Sequence, residues 1–522
     1  MPSRTRLVVG LLAAAIVATA GCILPVIAPD ESDSSLPDTS QSQPPAVPGT
    51  RVKWRSCPSV PRQLVGRGAA GMRYDCASVA VPRNWATPRS GETYEIFMIR
   101  IRSDRQADRI GSLVINPGGP GVSGVDYAVF LSFGQQVGGL PTAVTDRFDI
   151  VGFDPRGVGR SNPVKCISDD DQDKTIAIDP DPFSKVEFDE AVELNRRIAT
   201  GCGAKYGDQL PLFATEQAAH DMDGVRTAVG DAKLTYLGYS YGTLLGATYA
   251  QLYPRNIRAL VLDGAVNPAE DFVGRFESQA KGFERAFANF TDWCEQSAQR
   301  CPIAPDARGA IIDAMEKARS SPVRGKDGRD TTAGWIFLAV VSSLYHESGW
   351  ATLAKAVDSL QAGNPEGIFD LADQYADRRP DGTYSNQSDA NLTVNCADTD
   401  EAPTVEQIRE LQGKWRKKYP MFGAALAIGM LPCTFWPGGR DPYPVGPATG
   451  SPPIVVVGTT GDPATPYENT AELAGMLGTG QVLTWEGEGH TAYAATRCIT
   501  NAVNEYLIDL TVPKEGLRCP AR

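Results

Sequence analysis

Histidine is scarce in this chain, with three residues among 522, so an imidazole base must be one of three side chains. Cysteine occurs 11 times but never as C-x-x-C, which argues against a zinc ribbon or a thioredoxin-type centre. Positive charge is not in excess either, because the formal net charge is −12, and this disfavours nucleic-acid binding. The sequence therefore predicts no metal, no cofactor and no nucleic-acid partner.

The apolar run near the start, residues 7–20, is too short for a spanning helix of roughly 20 residues. It follows two arginines, as in the hydrophobic region of an export signal. The run leads into ATAGC, which resembles a bacterial lipobox. We therefore predict a signal peptide over residues 1–21, lipidation of Cys22, and a lipoprotein on the outer face of the cell membrane. The alternative is ordinary cleavage near Ala20, which leaves a free cysteine.

The segment that follows, residues 22–51, is rich in Pro, Ser and Asp and predicts a disordered tether. Without Cys22, ten cysteines remain, and an even number in an exported chain favours disulfides. The sequence alone does not fix their connectivity. Pairing of neighbours would give Cys57–Cys76, Cys166–Cys202, Cys294–Cys301, Cys396–Cys433 and Cys498–Cys519.

Three blocks make up the remaining chain. Over residues 52–267, short apolar runs such as SLVIN, FDIVGFD and LTYLG alternate with helical patterns, which predicts a mostly parallel, buried sheet. Residues 268–450 are mainly helical, with phenylalanines near a helical period. Residues 451–522 return to strand character with PPIVVVGTTGD and GQVLTWEGEGH. This order predicts an α/β core that carries a large helical cap.

The motif GYSYG, residues 238–242, places Ser240 between two glycines, after a strand and before a helix of small residues. This is the context of a nucleophile elbow, in which a serine sits on a strained turn. The alternative is a single polar residue in a tight turn. We predict that Ser240 is a nucleophile.

A serine nucleophile needs a base and an orienting acid. His490 follows a strand near the C-terminal end of the chain. Its position fits a triad whose members occur along the chain in the order Ser, Asp, His. Asp462 lies in the loop after the strand IVVVG, where sites gather in open α/β sheets; its alternative role is a local turn. We predict that these two residues complete a triad with Ser240, and that His220 and His346 are structural.

The glycine loop SLVINPGGPGVSG offers backbone amides for an oxyanion hole. We predict the amides of Gly119 and Tyr241 as its donors. Residues 119–124 also match G-x-G-x-x-G, and a dinucleotide-binding fold would use Asp154 as its ribose acid. That alternative leaves GYSYG, Asp462 and His490 unexplained.

Several motifs in order resemble the secreted bacterial tripeptidyl aminopeptidase branch of the α/β-hydrolases, related to prolyl iminopeptidases. They are NPGGPG, FDPRGVGRS, YSYGT, LDGAVNP, NCADTDE, GDPATP, GHTAY and LRCP, and the resemblance spans about residues 52–519. It implies an α/β-hydrolase fold with a helical cap and exopeptidase or carboxylesterase-like activity. It also implies that nucleophile, acid and base are Ser240, Asp462 and His490.

These observations predict a serine hydrolase of the cell envelope that releases short N-terminal peptides through an acyl-enzyme, with esterase activity as well. We expect Asp398 or Glu401 to bind the substrate α-amine, although the alternative is a solvated acidic turn. The rival function is a carboxylesterase for lipid or short acyl esters, for which Phe272, Phe276 and Phe283 would suit acyl chains. A non-catalytic binding protein on a hydrolase fold is the third hypothesis.

Overall fold

The structure is a computed structural model that describes residues 51–57 and 71–521. The predicted signal peptide, Cys22 and the tether up to residue 50 lie outside the described residues. Within the described ranges, no helix combines the length and the apolar character needed to cross a bilayer.

The central element is a large, mostly parallel sheet. The strands of the described residues are β1 (Arg55–Ser56), β2 (Met72–Pro82), β3 (Thr93–Ser103), β4 (Gly111–Asn116), β5 (Phe148–Phe153), β6 (Leu234–Tyr239), β7 (Ile257–Asp263), β8 (Val323–Arg324), β9 (Asp330–Thr331), β10 (Ile454–Gly461), β11 (Gly480–Glu488) and β12 (Leu517–Pro520). Ten of them form one sheet in the order β1-β2-β3-β5-β4-β6-β7-β10-β11-β12. The pairs from β1 to β3 and the β3–β5 pair are antiparallel, and the other pairs are parallel. The predicted α/β fold class is confirmed.

Helices cover both faces of the sheet and form an additional layer. They are α1 (Gly124–Leu131), α2 (Thr142–Thr145), α3 (Asp169–Ala177), α4 (Lys185–Tyr206), α5 (Thr215–Val229), α6 (Tyr241–Leu252), α7 (Phe272–Gln296), α8 (Ala307–Ser320), α9 (Ala333–Leu344), α10 (Glu347–Gln361), α11 (Glu366–Ala376), α12 (Gln387–Ala397), α13 (Val405–Lys418), α14 (Gly423–Ile428), α15 (Leu431–Thr434), α16 (Glu468–Leu477) and α17 (Arg497–Asp509).

Alternation along each central strand supplies both faces of the sheet with apolar side chains. In β10, Ile454 and Val456 pack in a cluster with α5, α6 and α16, whereas Val455 and Val457 pack in a second cluster with α1 and α17. Successive side chains of a strand point to opposite faces, so a strand covered on both sides must be apolar throughout. This is why short apolar runs predicted the central strands well.

The helical layer has its own core, built from α4 and α7–α11 with α13–α15. Helix α4 belongs to this layer although it precedes the predicted cap segment, residues 268–450. The phenylalanines of α7 face this core, and Phe272, Phe276 and Phe283 are each at most 4% exposed. They pack inside the layer and do not line the cavity that holds Ser240. The structure therefore gives them a packing role.

The five predicted cysteine pairs lie within bonding distance in the structure. The Cα atoms of the pairs are separated by 5.0, 4.9, 5.3, 5.1 and 5.6 Å in chain order. These separations suit disulfide bonds. The formation of these bonds stays a prediction.

A buried ion pair joins the loop after β5 to helix α5. Arg156 and Asp221 are 1% and 0% exposed, and the guanidinium lies 2.6 Å from the carboxylate. Arg156 also donates to the carbonyl oxygens of Pro82, Arg83 and Leu212. The pair is thus fully hydrogen-bonded, which is the condition for tolerating a buried charge.

We expect the variant Asp221→Asn to lose about 3–5 kcal/mol of unfolding free energy, because the Arg156 guanidinium would stay buried without its counter-charge. The measurement is urea unfolding followed by circular dichroism. Asp104→Ala, which breaks an exposed pair with Arg73, is the control and should cost about 0–1 kcal/mol. Equal losses in the two variants would contradict the prediction.

Candidate active site

Ser240 lies on a strained turn between β6 and α6. Its backbone has φ 55° and ψ −124°, a conformation that residues with side chains rarely adopt. A Cβ added at Gly238 would lie 2.4 Å from the Gly242 carbonyl oxygen, and one at Gly242 would lie 2.8 Å from the Asn116 carbonyl oxygen. The two flanking glycines are therefore required by close backbone contacts. This geometry is that of a nucleophile elbow.

His490 and Asp462 contact each other at the carboxyl ends of β11 and β10. The Nδ1 atom of His490 lies 2.9 Å from each carboxylate oxygen of Asp462. The carboxylate also accepts hydrogen bonds from the amides of Ala464 and Thr465, so Asp462 serves both the predicted imidazole contact and the alternative local turn. Both side chains are buried, at 5% and 0% exposure. The pair can hold one imidazole tautomer, with Nδ1 protonated.

Ser240 and His490 both lie beside the peptide unit at the end of β7. The Ser240 amide donates to the Asp263 carbonyl oxygen at 2.9 Å, and a Cβ added at Gly264 would lie 3.1 Å from Cε1 of His490. The serine and the imidazole thus flank the same peptide unit. The Nε2 atom of His490 is buried and makes no hydrogen bond to any described residue, Ser240 included. Catalytic hydrogen bonds are often long before substrate binds.

The loop that carries His490 is held from two sides. The His490 amide donates to the Tyr345 carbonyl oxygen at 2.8 Å, and the two rings are in edge-to-face contact. From the sheet, the buried Asp263 carboxylate accepts hydrogen bonds from the amides of Ala492 and Tyr493. Burial raises the pKa of Asp263 to about 7. Both the helical layer and the sheet therefore position the imidazole.

The glycine loop after β4 lies directly against the elbow. Gly118 has φ 96°, and a Cβ there would lie 2.9 Å from Cβ of Ser240 and 3.0 Å from the Tyr241 amide nitrogen. Gly119, with φ 109°, lines the same cavity as Ser240 and Tyr241. The loop thus brings backbone amides beside the serine, as an oxyanion hole needs.

Ser240 lines a small cavity of about 50 Å³ between the sheet and the helical layer. Glu270 and Arg275 are the charged side chains in its described lining. Burial raises the pKa of Glu270 to about 7, although a hydrogen bond from Ser278 and the charge of Arg275 oppose this shift. Asp271 and Glu472 lie close enough to raise the pKa of Glu270 further, so acids outnumber the single arginine.

Sequence reasoning missed Glu270. The residue follows β7 in the loop AVNPAED, at the same edge of the sheet as Ser240. Its position at a strand end next to the elbow strand was the available signal, because sites gather at the carboxyl ends of parallel strands.

The structure does not bring Asp398 or Glu401 into this cavity. Asp398 is buried and accepts hydrogen bonds from the amide and hydroxyl of Thr215, whose hydroxyl lies 2.6 Å from the Tyr241 hydroxyl. Burial raises the pKa of Asp398 to about 7. Glu401 is exposed to solvent. Asp398 thus supports the residue after the nucleophile, and Glu401 fits the alternative of a solvated turn.

The remaining sequence candidates lie outside the catalytic cavity. His220 contacts the Tyr253 hydroxyl through Nδ1, and His346 pairs by its backbone with Gly489. Asp154 is fully buried, and its carboxylate accepts hydrogen bonds from Ser123 and from the Arg160 amide. These internal bonds occupy the carboxylate that a dinucleotide-binding site would need.

In the ranges 51–57 and 71–521, no group of three or more His, Cys, Asp or Glu side chains is arranged to hold a metal ion.

The chain is similar in sequence to proteins of known families. A family model described as TAP-like protein matches residues 419–519, and one described as alpha/beta hydrolase fold matches residues 111–302. The chain is 36% identical to serine protease Hip1 of Mycobacterium tuberculosis, covering 90% of this chain and 91% of that protein. It is 34% identical to carboxylesterase B of the same species, with 95% of each covered. It is 30% identical to tripeptidyl aminopeptidase of Streptomyces lividans, covering 85% of this chain and 83% of that protein.

Proposed function

Because the chain belongs to the TAP-like α/β-hydrolases, we propose that it is a serine hydrolase that cleaves peptides from their free N-terminus through an acyl-enzyme. The observation that carries this proposal is the buried Asp462–His490 pair beside a serine on a strained elbow. The test is labelling of the native protein with a fluorophosphonate, followed by peptide mapping. A label on the peptide that contains residues 238–242 supports the proposal, and a label elsewhere or none contradicts it.

In the proposed reaction, Nε2 of His490 accepts the Ser240 proton while Oγ attacks the substrate carbonyl carbon. Asp462 keeps the proton on Nδ1 and stabilises the imidazolium. The amides of Gly119 and Tyr241 stabilise the oxyanion. His490 then protonates the leaving amine or alcohol, and a water molecule, activated by the same imidazole, releases the acyl group and restores Ser240.

Glu270 is our candidate for binding the substrate α-amine. It lines the same cavity as Ser240, and the surrounding acids favour a cation over an anion there. A half-buried carboxylate can compensate the cost of desolvating an ammonium group. This role replaces the one that the sequence suggested for Asp398 and Glu401.

We expect Glu270→Gln to reduce the preference for a free over an N-acetylated tripeptide anilide by about tenfold or more, which corresponds to about 1.4 kcal/mol. The measurement is kcat/KM for both substrates. Glu401→Gln is the matched control, because it neutralises an exposed glutamate outside the cavity, and it should leave the preference unchanged. An unchanged preference in Glu270→Gln would rule out this anchor.

Glu270 should also make the KM for a free-amine substrate depend on pH. With its pKa raised to about 7, Glu270 is charged above that pH and neutral below it. KM for the free-amine substrate should therefore rise as pH falls through about 7, while KM for the N-acetylated substrate should not. In Glu270→Gln the two KM profiles should run parallel.

A carboxylesterase for acyl esters is the second candidate function. The relative named carboxylesterase B favours it, because it covers 95% of this chain. Comparing kcat/KM for a tripeptide anilide with that for short and long acyl esters separates the two candidates.

We also propose that the protein is exported and that a lipid on Cys22 anchors it at the outer face of the cell membrane. The support is the sequence of residues 1–22. Mass spectrometry of the mature N-terminus, and of a Cys22→Ser variant, tests this placement.

A further inference from the structure

A second cavity lies beside the catalytic one, inside the helical layer. It has a volume of about 260 Å³ and is lined by residues of α3, α4, α9, α11 and α12, Ile198 and Leu392 among them. None of its described lining residues is charged, whereas the catalytic cavity carries Glu270 and Arg275. The chemistry of the two cavities therefore differs.

Asn395 lines both cavities and so forms part of the wall between them. Its side-chain amide donates to Asn391 Oδ1 at 3.1 Å, and Asn391 in turn donates to the carbonyl oxygen of Pro120 at 3.1 Å. Both asparagines belong to α12 and are one turn apart. The wall is thus tied by hydrogen bonds to the glycine loop beside Ser240.

The catalytic cavity is small for a substrate-binding site. Its volume of about 50 Å³ is far below the roughly 300–1,000 Å³ of typical ligand pockets. The second cavity adjoins it at Asn395 and adds about 260 Å³. We propose that it binds an uncharged, apolar part of the substrate acyl group: an apolar side chain of a peptide, or the chain of an acyl ester. This inference rests on the proposed serine hydrolase function.

The acyl group is the occupant that these observations favour over the leaving group. A cavity with no charged lining residue gains binding energy from buried apolar surface and disfavours charge. The acyl group stays on Ser240 through both acylation and deacylation, so contacts in this cavity can act in both steps. The leaving group departs after the first step and needs a path to solvent.

The experiment fills the second cavity and measures selectivity for acyl length. We expect Leu392→Trp to reduce kcat/KM for a p-nitrophenyl octanoate by about tenfold or more, with little change for p-nitrophenyl acetate. Leu392→Ala should shift selectivity toward the longer ester. The matched control is Leu411→Trp, the same change at a half-buried residue of α13 that does not line the cavity. It should leave the octanoate-to-acetate ratio unchanged.

The outcomes separate this inference from the proposed function. If wild-type Ser240 is not labelled and neither ester is hydrolysed, the proposed function fails, and the inference fails with it. If labelling and acetate hydrolysis are normal in Leu392→Trp but the ratio matches wild type, the inference alone is overturned. If Leu392→Trp does not fold, the ratio in Leu392→Ala decides, and an unchanged ratio there also overturns the inference.

Discussion

Replacing Ser240 with alanine should abolish fluorophosphonate labelling and reduce kcat for every ester and peptide substrate by roughly 10⁴- to 10⁶-fold. The effect is expected to be this large because Ser240 occupies the strained elbow and its hydroxyl forms the covalent bond. Folding should be preserved, since the change removes one oxygen and keeps the Cβ. The measurement combines labelling, steady-state kinetics and thermal unfolding.

The matched control for this variant is Ser343→Ala. Ser343 is also buried, but its hydroxyl donates to the Ala339 carbonyl oxygen within helix α9. This variant should be labelled and should turn over substrate normally. Labelling that persists in Ser240→Ala would show that another residue reacts, and the proposed mechanism would have to be abandoned.

The second large effect is expected for Asp462→Asn. This change keeps the size of the side chain but removes the negative charge and adds an NH₂ donor that can hold His490 in the wrong tautomer, so kcat should fall by about 10⁴-fold. Binding of substrate should change much less, because Asp462 is fully buried behind the imidazole. The measurement is kcat and KM for one ester substrate.

Asp263→Asn provides a comparison for Asp462→Asn at the end of the neighbouring strand. The Asp263 carboxylate binds the amides of Ala492 and Tyr493 and not the imidazole itself. We therefore expect a smaller loss of kcat than in Asp462→Asn. Equal losses of kcat in the two variants would mean that the contact between Asp462 and the imidazole has no special role in catalysis.

The sequence predicted the central strands well, because these depend on local patterns. The apolar runs of β4–β7 and β10 reflect burial on both faces, and Ser240 and Asp462 each follow such a run, whereas His490 follows the partly exposed strand β11. Strand β2 was missed, since in MRYDCASVAVP polar residues interrupt the apolar ones. Its antiparallel partner is β3, the next strand along the chain.

The substrate-binding residues were harder to predict because packing of the helical layer determines them. Asp398 lies in an acidic motif that suggested an amine site, yet the start of α5 packs against it and occupies its carboxylate. Glu270 lies in the loop after β7, where its position at a strand end was the one signal in the sequence. No local pattern records such contacts between segments that are far apart in the chain.

The hydrogen bond between the His490 amide and the Tyr345 carbonyl oxygen limits how this enzyme could be rebuilt. It makes the helical layer a structural support of the base, in addition to a cover over the site. A chimera that combines this sheet with the cap of a relative must therefore supply an equivalent carbonyl at that point. Without it, recombination aimed only at changing selectivity would also misplace the imidazole.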